Sequence, residues 1–149
     1  MEIRRFETQD AEETSDLVCE GLRKECSNYK MSEIEKYCRD YSPSGLITLS
    51  KEHEMWVSHD KNLITGMTSR SGNIVRMCYV LPGLIRKGIG KNLMSHLESY
   101  MKRENYTLAL VVAAKNSIHF YESLGYKKYA ESKGDILMKK ELLQRYIKR

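Results

Sequence analysis

The sequence has little proline, no closely spaced cysteine pair and no long apolar run. Its 149 residues include 2 prolines and 4 cysteines without a C-x-x-C motif, so neither a disulfide framework nor a zinc site is indicated. No apolar run reaches about 18 residues, and we expect no membrane span. The first ten residues, MEIRRFETQD, lack the apolar segment of a signal peptide. Scattered thiols without such a signal predict a cytoplasmic protein.

Several chemical motifs are present only as fragments. His53 and Glu54 begin an H-E-x-x-H pattern, but Val57 stands where the second histidine is needed, so we expect no metal. The segment GIG (residues 88–90) lacks both the third glycine of a dinucleotide fingerprint and the Gly-Lys-Ser/Thr of a P-loop. These absences exclude the two commonest glycine-loop nucleotide sites.

Charge and composition indicate one ordinary globular domain over residues 1–149. Charged residues make up 30% and hydrophobic residues 41%, and the formal net charge is +5 with a pI of about 9.0. A basic balance is one feature of nucleic-acid-binding domains. The basic residues are scattered, however, with no recognition helix or aromatic RNA-binding strand, so we do not expect a nucleic-acid partner.

One stretch predicts a strand, a glycine-containing loop and a helix. Asn73–Val80 is rich in Ile, Val, Cys and Tyr, as a buried strand is. Pro82 and Gly83 end it. A helix is predicted over Gly88–Glu104, because apolar side chains recur every fourth residue on one face: Ile89, Leu93, Leu97 and Met101.

The start of that helix has the features of an anion site. The first turn of a helix carries unpaired N–H groups and the positive end of the helix dipole. Gly88 and Gly90 have no Cβ and allow close approach of a ligand to the backbone. Arg86, Lys87 and Lys91 add positive charge. A phosphate group is the expected ligand, although G-x-G alone is also compatible with a simple tight turn.

A second motif follows the next predicted strand, Thr107–Ala113. Asn116 and the segment His119–Tyr126 (HFYESLGY) give the pattern N-x-x-x-F-Y-x-x-x-G-Y. Together with the (R/K)KGIG loop, this pattern resembles the GNAT superfamily of acyl-CoA-dependent N-acyltransferases. The resemblance extends from Glu2 to about Leu142.

The expected fold is a single α/β domain with a mixed, mostly antiparallel central sheet and helices on both faces. Local patterns predict, in the N-terminal part, a strand over Glu2–Phe6, a helix from Asp10 to about Cys26 and a helix that starts at Ser32 and is broken at 42–45. Three strands follow, Met55–Ser58, Leu63–Thr68 and Asn73–Val80, and then the long helix. The C-terminal part is predicted to contain strand Thr107–Ala113, helix Ser117–Leu124, a hairpin of Tyr126–Ala130 with Ile136–Lys140, and a polar helix or frayed tail over Glu141–Arg149.

Topology rules add one parallel pair to this sheet. The strands from Met55 to Val80 form an antiparallel meander, and the long helix crosses over so that Asn73–Val80 and Thr107–Ala113 lie parallel. The resemblance implies that this pair splays apart and forms a slot for CoA.

The resemblance also implies which residues bind the co-substrate, acetyl-CoA. Backbone amides from Arg86 to Lys91 hold the diphosphate, and Cys78–Val80 bonds the pantetheine as an additional strand. Asn116 contacts the co-substrate, caps the following helix, or does both. The implied binding residues are Cys78, Tyr79, Val80, Arg86, Lys87, Gly88, Ile89, Gly90, Lys91 and Asn116.

By the same resemblance, Tyr121 is the general acid that protonates the leaving thiolate. A phenol suits this role because its pKa of roughly 10 is near that of an alkylthiol. The alternative is a structural core tyrosine. A base is not identified: Ile74, Arg76 and Val111 stand where relatives place theirs, His53, Glu54 and His59 are nearby candidates, and a water relay is the default. Cys78 as a nucleophile is a further, weaker alternative.

Arg76 is expected on the same strand face as Ile74 and Cys78, and the resemblance implies that this face looks into the acceptor cleft. There Arg76 is expected either to clamp an anionic group of the acceptor or to form a structural ion pair. The resulting hypothesis is an N-acetyltransferase that acts on a primary amine of a small molecule or peptide. The resemblance adds a homodimer as an expectation. The alternative is a non-catalytic acyl-CoA-binding protein of the same fold.

Overall fold

A computed structural model describes residues 1–25 and 29–142, so the predicted helix end at Cys26 and most of the predicted tail lie outside the described residues. Within that part the chain forms seven strands and five α-helices. The strands are β1 (Glu2–Arg5), β2 (Glu54–Asp60), β3 (Leu63–Ser71), β4 (Ile74–Val80), β5 (Leu108–Ala113), β6 (Lys127–Ser132) and β7 (Asp135–Glu141). The helices are α1 (Ala11–Glu25), α2 (Met31–Asp40), α3 (Pro43–Leu49), α4 (Ile89–Arg103) and α5 (Ile118–Ser123).

The strands form one mixed sheet in the order β1-β2-β3-β4-β5-β7-β6. All neighbouring pairs are antiparallel except β4 and β5, which are parallel. The predicted meander and the predicted parallel crossover pair are therefore confirmed. The hairpin partner β7, rather than β6, lies beside β5, and this places β6 at the sheet edge.

Helices cover both faces of the sheet, as predicted. Successive residues of β2 point to opposite faces: Trp56 packs in the cluster with Leu97 of α4, whereas Val57 packs in the cluster with Val18 of α1. Each cluster is almost fully buried, so burial of apolar surface on the two faces holds the layers together.

The helices near the N-terminus differ in detail from the sequence prediction. Helix α2 begins at Met31 rather than at the predicted Ser32, and its cap pairs Lys30 with Glu33. The segment 42–45 ends α2 but also starts α3. The Ser42 hydroxyl accepts a hydrogen bond from the Gly45 N–H, and Pro43 occupies the first helical position. The prediction missed α3 because Ser-Pro serves equally as a helix stop and as a helix start.

A buried arginine joins the sheet to the end of α4. The Arg70 side chain is 1% exposed and donates to both carboxylate oxygens of Glu104, at 2.9 and 2.7 Å. It also forms an ion pair with Glu54. The hydrogen bonds from Arg70 lower the pKa of Glu104. A bidentate arginine–carboxylate pair of this kind fixes the helix end against β3.

Glu104→Gln is expected to lower the free energy of unfolding at pH 7 by about 1 kcal/mol, because one charged hydrogen bond to Arg70 is lost while the glutamate is partly exposed. A carboxyl group with a lowered folded-state pKa stabilises the fold above its usual pKa of 4.5, and this contribution is lost as the pH falls through the folded-state value. Denaturant unfolding at pH 7 and at about pH 3 should show the difference between wild type and variant only at the higher pH. Glu122→Gln, which touches only the exposed pair with His119, is the control; an equal loss in both variants would contradict the assignment.

Among the described residues no helix has the length and apolarity needed to cross a bilayer. In that same part of the chain, no three His, Cys, Asp or Glu side chains are grouped as a metal site would require.

Candidate active site

The site begins where β4 and β5 separate. The two strands are paired only at Ile74 with Leu110 and at Val75 with Val111. Beyond these pairs β4 continues along β3, and β5 continues along β7. The gap between them is the predicted splayed parallel pair. It leaves the side of β4 that faces β5 without a strand partner from Cys78 to Val80 within the described residues.

A bulge in β4 causes part of this separation. Ser69 of β3 pairs with Met77 and Arg70 pairs with Val75, so Arg76 is the extra, unpaired residue. An extra residue bends the strand and increases its twist. It also reverses the side-chain alternation: Val75 and Met77 belong to the cores on opposite faces. Cys78 packs against the cluster that contains Val75, so the simple alternation that predicted one face for Ile74 and Cys78 does not hold across the bulge. Arg76 and Cys78 both line the cleft described next.

A cleft of about 300 Å³ occupies the gap. Its two strand walls come from the end of β4 and the end of β5, including Cys78, Val80 and Val112. The turn and helix after β5 contribute Asn116, Phe120 and Tyr121, and Tyr29 closes the side near α1. Tyr29 and Phe120 are not among the site residues predicted from the sequence. Tyr29 approaches the cleft from a distant part of the chain, and no local pattern marks such a contact.

The loop before α4 is held in an unusual backbone conformation. Gly88, the N-cap of α4, has φ of 84°, and Arg86 has φ of 71°. The left-handed region favours glycine, so Gly88 is the residue that lets the chain enter the helix at this angle. Gly90 has a different purpose: a Cβ there would lie 3.0 Å from two Phe120 ring carbons. The glycine at 90 therefore permits helix α4 to pack against α5.

The first turn of α4 carries no acidic residue, and no side chain caps it. The amides of Ile89, Gly90 and Lys91 precede the first intrahelical bond, which runs from the Asn92 N–H to the Gly88 carbonyl at 3.0 Å. Arg86, Lys87 and Lys91 are exposed around them, whereas Ile89 is buried and anchors the turn. This arrangement can hold a phosphate-bearing ligand beside the cleft.

Tyr121 points from α5 into the cleft and is 6% exposed. Its ring contacts Phe120 and Tyr126, with centroids 5.0 and 5.6 Å apart. Burial, with smaller contributions from Cys78 and Tyr79, raises the pKa of Tyr121 well above its usual value of 10.0. Its phenol therefore stays protonated at neutral pH and can donate a proton or a hydrogen bond.

Cys78 lines the same cleft as Tyr121. Burial raises the pKa of the Cys78 thiol to about 12. Because the thiolate is the nucleophilic form, this environment disfavours Cys78 as a carrier of an acyl group. Asn116 is exposed and lines the cleft, and Ser117 rather than Asn116 occupies the N-cap position of α5.

The three candidate bases are placed differently. Glu54 forms ion pairs with Arg5 and Arg70, and His59 Nε2 lies 3.5 Å from a Glu2 oxygen. His53 is the candidate beside Arg76: burial first, and then the Arg76 charge, lowers the pKa of His53. Its imidazole is consequently neutral at pH 7, as a base must be.

The family model described as "Acetyltransferase (GNAT) domain" matches residues 22–135 of this chain, which include the loop, the cleft and Tyr121. The chain belongs to the GNAT acetyltransferase family.

Solved structures share the fold of this GNAT domain. A GCN5-related N-acetyltransferase from Rhodopseudomonas palustris is 17% identical, with a TM-score of 0.87 and 95% of each chain covered. The PaiA N-acetyltransferase from Thermoplasma acidophilum, solved with coenzyme A, is 22% identical, with a TM-score of 0.86 over 94% of this chain and 98% of that chain. An aminoglycoside 6′-acetyltransferase type Ii is 20% identical, with a TM-score of 0.73 over 98% and 100%. None of the curated proteins compared with this chain matches it.

Proposed function

We propose that this GNAT protein transfers an acetyl group from acetyl-CoA to a primary amine of a small molecule or peptide, by direct attack in a ternary complex. The observation that carries the proposal is the open side of β4 at Cys78–Val80, placed beside the uncapped first turn of α4. The strand edge can bind the amides of pantetheine, and the helix start can bind the diphosphate. The coenzyme A in the Thermoplasma relative supports the choice of ligand.

The residues divide the chemistry as follows. A backbone N–H near Tyr79 or Val80 polarises the thioester carbonyl. The amine lone pair forms the new C–N bond, the carbon–sulfur bond breaks, and Tyr121 gives its proton to the sulfur. The proton lost by the amine passes to water, which can later return one to the phenol. Binding of the distant diphosphate by residues 86–91 positions the thioester for this step.

Cys78 does not take part as a nucleophile in this scheme, because its raised pKa keeps the thiol protonated. Direct transfer therefore requires both substrates to occupy the cleft together, which predicts ternary-complex kinetics rather than a ping-pong pattern.

Calorimetric titration with acetyl-CoA tests the binding half of the proposal, and release of free CoA thiol in the presence of an amine tests the transfer half. We expect micromolar-range binding of acetyl-CoA and much weaker binding of S-acetylpantetheine, which lacks the diphosphate. Equal affinities for the two thioesters would contradict the phosphate site. If acetyl-CoA binds tightly but none of the amines causes release of CoA thiol, the protein is instead a non-catalytic acyl-CoA-binding protein.

A further inference from the structure

Arg76 differs from the other arginines of the sheet because it has no acidic partner among the residues that the structure describes. Arg4 donates to both oxygens of Asp10 at 2.8 and 2.9 Å, Arg5 pairs with Glu54, and Arg70 pairs with Glu54 and Glu104. No carboxylate of the described residues lies within ion-pair distance of Arg76. The structural ion pair, which was the alternative explanation for this arginine, is therefore not seen in the described part of the chain.

The position of Arg76 places its charge where a ligand in the cleft can contact it. As the bulged residue of β4 it lies where the two parallel strands begin to separate, and its exposed side chain lines the cleft. Burial first, and then the Arg76 charge, lowers the pKa of the neighbouring His53, and the Glu52 carboxylate acts in the opposite direction. Glu52 is not among the described residues that line the cleft. The positive charge is open to whatever occupies the cleft.

Arg76 is also the one charged side chain among the described residues that line the cleft. The other lining residues are apolar, aromatic or neutral polar, and none is Asp or Glu. A cleft built for a polycationic acceptor needs carboxylates to balance several ammonium groups, since like charges repel in a partly dry site. This cleft has the opposite charge.

We propose that the acceptor is a primary amine that carries a compact anion, a carboxylate or a phosphate, which Arg76 binds through its guanidinium, while Tyr29 and the apolar walls contact the uncharged remainder. This inference rests on the proposed acetyl transfer and specifies its substrate class. An α-amino acid satisfies the requirement, because its amine nitrogen and its carboxylate carbon are bonded to the same carbon. Guanidinium binds either anion in a planar, two-point geometry that an ammonium cannot reproduce.

The test compares amines that differ only in the anion. L-phenylalanine is paired with L-phenylalaninamide, phosphoethanolamine with ethanolamine, and spermidine represents polycations. We expect kcat/KM to be about tenfold or more higher for the anionic member of at least one pair, since a charge-assisted bidentate contact is lost in the other member. The pair that shows the preference identifies whether the anion is a carboxylate or a phosphate.

Arg76→Gln should remove that preference mainly through KM for the acceptor, and Arg76→Lys should retain part of it. Lys127→Gln, which removes an exposed positive charge from β6, is the matched control and should change nothing. Equal rates for acid and amide, a preference that survives in Arg76→Gln, or spermidine as the best acceptor would overturn the inference. So would failure of every anionic probe to react in an enzyme that acetylates the neutral ones.

Acetyl-CoA titration of each variant separates the two levels of the proposal. Normal acetyl-CoA binding with no anion preference counts against the acceptor class alone. If acetyl-CoA fails to bind the wild-type protein, the proposed function itself fails, and the acceptor class fails with it.

Discussion

Gly88→Glu is expected to weaken acetyl-CoA binding by about 100-fold or more. A carboxylate at this position lies at the start of α4, beside the amides that hold the diphosphate in the proposed complex. Two unit charges about 5 Å apart interact by about 3 kcal/mol at the effective dielectric of a protein surface, which corresponds to a factor of about 100 in affinity. Calorimetric titration measures the loss directly.

The fold should survive this substitution. A Cβ at residue 88 meets no atom within 4 Å, so the steric cost is limited to the positive φ of 84°. A non-glycine residue in this region costs about 1–2 kcal/mol. A negative charge at a helix N-terminus offsets part of that cost through the helix dipole. Thermal unfolding of the variant should therefore show a small decrease in Tm.

Gly88→Asn is the matched control for backbone strain. Asparagine tolerates the left-handed region and brings no charge, so it should retain acetyl-CoA binding within a few-fold of wild type. If asparagine and glutamate weaken binding equally, strain in the loop rather than charge at the helix start is responsible, and the diphosphate position is wrong.

Tyr121→Phe is expected to lower kcat by about 100-fold or more, with acetyl-CoA affinity nearly unchanged. General acid catalysis by a placed side chain contributes about 10²–10⁴ in rate, and phenylalanine keeps the ring packing against Phe120 and Tyr126. Steady-state kinetics and calorimetry on the same preparation separate the two quantities. Unchanged turnover would show that Tyr121 is a structural residue.

Tyr126→Phe is expected to have the opposite effect, a loss of stability with little change in kcat. The Tyr126 hydroxyl donates to the buried Glu98 carboxylate at 2.7 Å, and Lys140 donates to the other oxygen of Glu98 at 2.8 Å. Loss of one donor to a buried carboxylate should lower stability by about 1–3 kcal/mol and leave kcat largely intact. The two variants thus separate a hydroxyl used in chemistry from a hydroxyl used in folding.

The pH dependence gives a second readout for Tyr121. Because burial raises its pKa above the usual value of 10.0, ionisation of this phenol should not reduce kcat as the pH rises from about 7 to 10. A fall in kcat that begins below about pH 9 and disappears in Tyr121→Phe would contradict a protonated general acid in this environment.

Elements with strong local signals were predicted from the sequence. Helix α4 was predicted because apolar side chains recur at every fourth residue along one face. Strands β2, β3 and β4 and their antiparallel order follow from alternation and short turns. Helix α3 was missed because its start signal, Ser42-Pro43, is also a stop signal for the preceding helix.

The parts of the site that were not predicted depend on contacts between distant segments. The bulge at Arg76 exists because β3 pairs with β4 in two registers, and a register is a property of two strands rather than of one. The contact between Gly90 and Phe120 joins α4 to α5. Tyr29, which precedes α2, also lines the cleft. No periodicity within a single segment carries that information.

The sequence by itself determined the family, most of the elements and the residues of the two motifs, because glycines, apolar periodicity and the N-x-x-x-F-Y-x-x-x-G-Y pattern act locally. Only the tertiary structure decided the environment of each group. Burial keeps the phenol of Tyr121 and the thiol of Cys78 protonated, and a strand bulge leaves Arg76 as the single charged residue among the described walls of the cleft. Ionisation and charge balance depend on what surrounds a side chain, and the surroundings are set by packing between segments far apart in the chain.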